Sequence, residues 1–190
     1  MLPLCRNALA PHKGGLTRRR LITLGVLGLA SAAVPRVSRA FAPFERDRQL
    51  SLYNIHTAES ASVAYWIDGD YVPDALAEID QLLRDHRTGE VSPIDPEVLD
   101  RLHRVRGELA SYEAFHVVSG FRSESTNELL RARSSSVVRR SLHCVGKAVD
   151  VFLPGRSVAD LHAAALAERA GGVGVYRDFV HLDVGRFRTW

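Results

Sequence analysis

Apolar and polar residues alternate over residues 50–56 and again over residues 60–67, and a short polar segment with a glycine, residues 68–70, follows the second run. Successive side chains of a β-strand point to opposite faces, so a period of two indicates a strand with one buried face. Aspartate and glycine are typical of tight turns. The pattern therefore predicts a β-hairpin region between residues 50 and 70.

Apolar residues then recur at spacings of three and four, which indicates two amphipathic helices. Pro73 stands at the start of the first helix and Pro96 at the start of the second, where the missing N–H of proline costs no hydrogen bond. The two apolar stripes consist of Leu76, Ile79, Leu82 and Leu83, then of Val98, Leu102, Val105 and Leu109. Their regular spacing predicts that both stripes pack into the core.

Two further helices are indicated by their capping residues. Ser125 is expected to cap a helix that runs to about Arg133. Ser157 and Asp160 form a capping box for a helix that runs to about Ala170, because each side chain can bond to the backbone N–H of the other residue.

The second half of the chain also predicts strands, at residues 115–119, 148–152, 173–176 and 179–184. The last two are expected to form a closing hairpin. Helices followed by an antiparallel sheet indicate the α+β class. Residues 41–190 are therefore expected to form a single domain, in which a small antiparallel sheet packs against several helices.

Two histidines and an aspartate suggest a metal site. His143 and Asp150 lie seven residues apart with Gly146 between them, and His181 follows near the end of the sequence. Two histidines and a carboxylate form a ligand set that holds catalytic Zn²⁺ with one position open for water, and a glycine lets the backbone turn between ligands. Cys144 could bind beside His143, but neighbours on an extended segment point to opposite sides, so we expect it to pack inward.

From about residue 50 to residue 190 the chain carries, in order, the motifs Ser119-Gly-Phe-Arg-Ser123, Thr126-Asn127, Leu130-Arg-Ala-Arg133, Ser141-x-His143-x-x-Gly146-x-Ala148-x-Asp150, Gly171-Gly-Val-Gly174 and Phe179-Val-His181-x-Asp183-x-Gly185. This series resembles the zinc D-Ala-D-Ala peptidase superfamily, and within it the twin-arginine-exported murein endopeptidases of the MepK type. The resemblance implies a zinc peptidase that binds the metal through His143, Asp150 and His181 and acts on peptidoglycan peptides.

The resemblance also implies that Arg122 faces the substrate. Its guanidinium group offers a fixed fork of donors, which would stabilise an oxyanion or bind a substrate carboxylate. The alternative is a structural salt bridge. Ser141 either donates a hydrogen bond to the substrate or begins the turn that leads to His143.

Two carboxylates are candidates for the general base that takes a proton from water and passes it to the leaving amine. Asp178 stands where many members of the superfamily have a catalytic Glu or Asp, although the loop before Phe179 is shorter than usual. Asp183 shares a strand face with His181, since the two stand at positions i and i+2, so it is either the base or a group that orients the histidine ring. The sequence slightly favours Asp178 as the base, and it leaves open that either carboxylate is only a turn or surface residue.

The first forty residues have the pattern of an export signal. A Thr-Arg-Arg-Arg-Leu segment, residues 17–21, leads into the uncharged stretch 21–34, and Ser38 and Ala40 are small residues of the kind that a signal peptidase recognises. The arginine pair predicts the twin-arginine route to the periplasm or cell envelope. The apolar stretch is too short for a typical membrane anchor, so no stable membrane span is expected after cleavage.

Residues 1–40 and residues 41–190 differ in the sign of their net charge. Residues 1–40 hold seven of the 25 Lys and Arg residues and no acid, so residues 41–190 carry 18 basic against 22 acidic residues, a net charge of −4. The overall charge of +3 is thus no reason to expect binding to nucleic acid. One basic cluster remains, Arg131, Arg133, Arg139 and Arg140. It is either a solvated surface or a local attraction for the anionic cell wall.

Three functional hypotheses remain. The leading hypothesis is a zinc endopeptidase that cuts peptide cross-links of peptidoglycan. The second is a D,D- or L,D-carboxypeptidase or dipeptidase that acts on stem peptides. The third is a non-catalytic module that binds peptidoglycan. The sequence does not indicate which bond is cut or how many chains associate.

Overall fold

Eight strands and four helices make up the part of the chain that a computed structural model describes, residues 47–134 and 137–190. The strands are β1 (Asp47–Asn54), β2 (Ser60–Ile67), β3 (Asp70–Tyr71), β4 (Phe115–Ser119), β5 (Ala148–Phe152), β6 (Gly172–Val175), β7 (Val180–Asp183) and β8 (Arg188–Thr189). The helices are α1 (Pro73–Leu82), α2 (Pro96–Glu108), α3 (Glu124–Arg133) and α4 (Val158–Ala167). The predicted export signal lies outside the described residues. Within them, no helix is long and apolar enough to cross a membrane.

The strands form one mixed sheet with the order β3-β2-β1-β4-β5-β7-β6-β8. Neighbouring strands are antiparallel except for two parallel pairs, β1 with β4 and β6 with β8. The α+β class is confirmed, but the sheet is larger than the small antiparallel sheet that was predicted. The difference arises because the early hairpin extends the sheet, with Leu52 of β1 opposite Phe115 of β4. The helices accordingly lie between the strands along the chain instead of preceding them.

The capping predictions are confirmed for α4 and wrong for α3. Ser157 and Asp160 form the reciprocal capping box, although α4 ends at Ala167 and not near Ala170. The cap of α3 is Ser123, two residues earlier than predicted. Its backbone N–H and its hydroxyl both donate to the carboxylate of Asp85, at 2.9 and 2.7 Å, so this buried carboxylate decides where the helix begins.

The register of β5 and β7 separates the core from the site. The core positions of these two strands are Val149, Val151, Val180 and Leu182. Asp150 and His181 occupy the alternate positions and lie directly opposite each other. Because side chains alternate between the faces of a sheet, both point away from the core formed with α2 and α4. A slip of one residue in this pairing would turn the two polar groups into the apolar core, away from the site.

Candidate metal centre and cleft

His143, Asp150 and His181 converge on one point. Asp150 Oδ1 lies 2.8 Å from His181 Nδ1 and 3.3 Å from His143 Nε2, and the two nitrogens are 3.2 Å apart. Ligands of tetrahedral Zn²⁺ with bonds of about 2.1 Å are separated by about 3.4 Å. The three residues are only 2–8 % exposed. Their atoms therefore match three corners of a zinc tetrahedron, with the fourth corner available to a water or a substrate.

Hydrogen bonds on the far side of each ring fix which nitrogen faces this point. His143 Nδ1 donates to the Gly120 carbonyl at 2.8 Å, and His181 Nε2 donates to Asp183 Oδ2 at 3.1 Å. In the neutral rings, His143 Nε2 and His181 Nδ1 then carry lone pairs. Two such lone pairs and a carboxylate oxygen repel one another at these distances unless a cation lies between them. The residues present thus fit a bound divalent metal.

The turn around His143 is built by its neighbours. Residues Leu142–Val145 form a 3₁₀ turn, and the Ser141 hydroxyl oxygen accepts a hydrogen bond from the His143 N–H at 3.3 Å. Gly146 ends the turn with φ of +66°, and a Cβ at this position would collide with the Pro93 carbonyl. The sequence expectation that Gly146 lets the backbone turn between the two ligands is therefore confirmed, and Ser141 begins the turn.

Asp183 is completely buried beneath His181. Its carboxylate accepts hydrogen bonds from the His181 ring, from the backbone N–H groups of Gly172 and Gly185, and from both terminal nitrogens of Arg188, at 2.6 to 3.1 Å. A side chain at Gly172 would collide with this carboxylate, so the glycine makes room for the ion pair. Every direction around the carboxylate is occupied, and Asp183 is placed to orient the His181 ring.

The electrostatics of the group favour a positive charge at its centre. Burial alone would raise the pKa of Asp150, but the contacts with the His143 and His181 rings outweigh burial and hold that pKa well below its ordinary value. Burial alone would lower the pKa of His181, whereas its hydrogen bonds to Asp150 and Asp183 raise it. Asp150 is thus a carboxylate across the physiological range, and the group attracts a proton or a metal ion.

An open cleft of about 470 Å³ lies above the three residues. Arg122 forms part of its wall, with Nη2 3.2 Å from Ser119 Oγ and 3.6 Å from Asp150 Oδ2. The buried Nε of Arg122 has no hydrogen-bond partner among the described residues. The arginine thus lies beside the candidate metal ligands and keeps a donor available, and its contact with Asp150 is also the salt bridge that the sequence left open.

One wall of the cleft was not anticipated from the sequence. It consists of Tyr176, Phe179, Arg188 and Trp190. The Trp190 ring lies 5.2 Å from the His181 ring, and the Arg188 guanidinium lies 5.0 Å from the centre of the Trp190 ring. The residue in the sequence that could have indicated this wall is Gly174. It stands opposite His181 in the sheet, and the Trp190 ring occupies the space that a Cβ at this position would need.

Asp178 and Cys144 lie outside the group of candidate ligands. The Asp178 side chain is 83 % exposed on the turn between β6 and β7, with Arg177 at 3.8 Å, next to Phe179 of the cleft wall. Cys144 is half-buried, and burial raises the pKa of its thiol. It follows His143 in a 3₁₀ turn, where successive side chains are about 120° apart, and the expected inward packing of an extended segment does not apply.

The fold and the site together define a class of protein, an α+β domain in which two strands and a 3₁₀ turn bring together a His–Asp–His group of the kind that holds the metal in metal-dependent peptidases. The family model described as peptidoglycan L,D-endopeptidase MepK matches residues 43–190. The chain belongs to this family, and the resemblance inferred from the sequence motifs is confirmed.

Individual relatives agree with this assignment. Peptidoglycan L,D-endopeptidase MepK of Escherichia coli strain K12 is 38 % identical over 175 residues, which cover 91 % of this chain and 96 % of the relative. The protein of the same name in Shigella flexneri has the same identity and coverage. The probable peptidoglycan L,D-endopeptidase MepK of Haemophilus influenzae is 32 % identical over 176 residues, 91 % of this chain and 95 % of the relative. No solved structure matches the chain.

Proposed function

We propose that this protein is a zinc-dependent endopeptidase that hydrolyses peptide cross-links of peptidoglycan in the cell envelope. The observation that carries the proposal is the convergence of His143 Nε2, Asp150 Oδ1 and His181 Nδ1 beneath an open cleft. The relatives reported above, which are named peptidoglycan L,D-endopeptidase or probable peptidoglycan L,D-endopeptidase, support the choice of substrate. An open cleft suits a cross-linked peptide, which must enter with chain on both sides of the bond that is cut.

His143, Asp150 and His181 would hold a zinc ion, which would act as a Lewis acid and would lower the pKa of a bound water to about 7. Arg122 is placed to donate hydrogen bonds to a peptide carbonyl oxygen as that oxygen gains negative charge, or to a substrate carboxylate. The Ser141 hydroxyl lines the same cleft and offers a second polar contact for the substrate.

The proton of the attacking water needs an acceptor. Asp183 is surrounded by donors, so we assign it to orienting His181 and not to proton transfer. We assign the acceptor role to Asp178, whose carboxylate is exposed and whose neighbour in the chain, Phe179, lines the cleft. Catalytic hydrogen bonds are often formed only in the complex with substrate, so its exposure in the free protein is compatible with this role.

Digestion of purified peptidoglycan tests the proposed function. The purified protein should release peptides by opening cross-links, a chelator should abolish this release, and added Zn²⁺ should restore it, with the products identified by mass spectrometry. Loss of single terminal residues without opened cross-links would instead support a carboxypeptidase or dipeptidase. Binding to peptidoglycan with no new products in the presence of zinc would support a binding module.

We also propose export by the twin-arginine route, on the basis of the sequence of residues 1–40. Replacing Arg18 and Arg19 together by lysine should stop the protein from reaching the periplasm while the folded domain accumulates inside, because this route recognises the arginine pair and not charge alone. Fractionation followed by immunoblotting measures the result, and Lys13→Arg serves as a control outside the pair. Undiminished export of the double variant would contradict the proposal.

A further inference from the structure

Four exposed arginines lie at the end of α3 and in the segment that follows it. We call Arg131, Arg133, Arg139 and Arg140 the arginine patch. Arg131 and Arg133 occupy the last turn of α3. The Asn127 side-chain amide, one turn earlier in α3, donates to the carbonyl oxygens of Val138 and Arg139, both at 3.2 Å. These bonds hold the backbone at residues 138 and 139 beside α3, one turn before Arg131, so the four positive charges lie in one region of the surface.

The arginine patch differs from several other arginines of the described residues in having no carboxylate partner among them. Elsewhere arginines are paired with carboxylates, for example Arg48 with Asp100 at 2.8 Å and Arg84 with Glu59 at 2.6 Å. Within residues 47–134 and 137–190, no carboxylate forms an ion pair with any member of the patch. Solvent-exposed guanidinium groups without internal partners are available to an external anion.

The charge of the rest of the domain makes this surface distinct. Residues 41–190 carry a net charge of −4, so without the four arginines the remainder carries −8. A polyanion is therefore repelled by most of the domain and attracted at the patch. Arg140 belongs to the patch and also lines the cleft, so the positive surface continues into the candidate active site.

We propose that the arginine patch is a docking surface for polymeric peptidoglycan, outside the cleft that holds the bond to be cut. The stem peptides of peptidoglycan carry free carboxylates at repeated positions, and a cluster of exposed guanidinium groups would bind several of them. The proposal rests on the proposed function for the identity of the polymer. Its continuity with the cleft through Arg140 favours the substrate polymer over a membrane surface.

Attraction at a second surface has a specific consequence. It raises the concentration of the polymer near the cleft without changing contacts at the reacting bond, as multivalent binding does in general. The benefit exists only for a substrate large enough to span both surfaces. A soluble, isolated cross-linked muropeptide fills the cleft alone and gains little from the patch.

The test compares Arg131→Glu/Arg133→Glu with Arg106→Glu/Arg169→Glu, which reverses the charge of one arginine of α2 and of one arginine just after α4. Both double variants change the net charge equally. Binding to intact sacculi is measured by co-sedimentation at low temperature over a range of salt concentrations, and hydrolysis is measured separately on sacculi and on a soluble cross-linked muropeptide. Circular dichroism establishes that each variant is folded, and Arg131→Gln/Arg133→Gln provides a milder change.

The patch variant should bind sacculi roughly tenfold more weakly at low salt, with a flatter salt dependence, and should cut sacculi more slowly in proportion. Its turnover of the soluble muropeptide should stay within about twofold of the wild type, as should all properties of the control variant. Equal losses on both substrates, or no loss on sacculi, would overturn the proposal. So would a loss of binding to anionic lipid vesicles alone.

The two proposals fail separately. Binding to sacculi does not require hydrolysis, so patch-dependent binding by a protein that cuts neither substrate would support the docking surface and refute the endopeptidase. If the patch variant hydrolysed both substrates at unchanged rates, the result would support the endopeptidase and refute the docking surface.

Discussion

Alanine at His143, Asp150 or His181 is expected to remove most of the bound zinc and essentially all of the hydrolytic activity. Each change deletes one of three converging ligand atoms, and two protein ligands hold zinc far more weakly than three. The protein should otherwise bind about one Zn²⁺ per chain. The measurement is metal content after dialysis, by atomic emission, together with the rate on a cross-linked muropeptide.

His56→Ala is the matched control for this series. The His56 ring is exposed, and its Nε2 donates to the Val118 carbonyl at 3.0 Å, outside the candidate metal group. This variant should keep the metal and the rate of the wild type. Full zinc stoichiometry in any one of the three alanine variants would remove that residue from the proposed ligand set.

The second large effect is expected from Asp178→Asn, which should keep its zinc and lose roughly 10²–10⁴ in turnover. An amide cannot accept a proton, and this loss corresponds to about 3 to 5 kcal/mol of transition-state stabilisation. Asp183→Asn should behave differently, because it weakens the orientation of the His181 ring. Zinc affinity should fall roughly 10–100-fold, with measurable turnover at saturating metal. Both variants are compared for zinc affinity and for rate on one muropeptide.

The exposed position of Asp178 makes this comparison informative. If the two phenotypes are reversed, Asp183 is the base despite the donors that surround it. Unchanged turnover in both variants would mean that neither carboxylate transfers the proton, and the assignment of the base would be wrong. Arg177→Gln tests the neighbouring charge, since Arg177 lies 3.8 Å from Asp178 and should have little effect if only the carboxylate matters.

Local sequence patterns predicted most helices and strands, but they failed where a residue far away in the chain determines where a helix begins. The alternation over residues 50–56 and 60–67 and the capping box of Ser157 depend on neighbours in the chain, and both are found in the structure. The start of α3 depends on Asp85, 38 residues away from Ser123. No local propensity distinguishes Ser123 from Ser125, because either serine can cap a helix.

For the candidate site, too, the sequence predicted some features and the folded chain was needed for others. The spacing of His143, Gly146 and Asp150 and the resemblance to a family were sufficient to select the candidate ligands. The roles of the acids were not accessible in this way, because Asp178 and Asp183 are equivalent as residue types. Burial of Asp183 against Arg188, and exposure of Asp178, separate them only in the folded chain.

The sequence by itself determined the family, the α+β class and the residue types that can hold a metal, since these follow from motifs and from periodicity along the chain. Only the tertiary structure decided that β5 and β7 pair in the register that sets Asp150 opposite His181, and that Trp190 and Arg188 form a wall of the cleft. The physical reason is that pairing register and side-chain burial are fixed by contacts between segments far apart in the chain, which local periodicity does not encode.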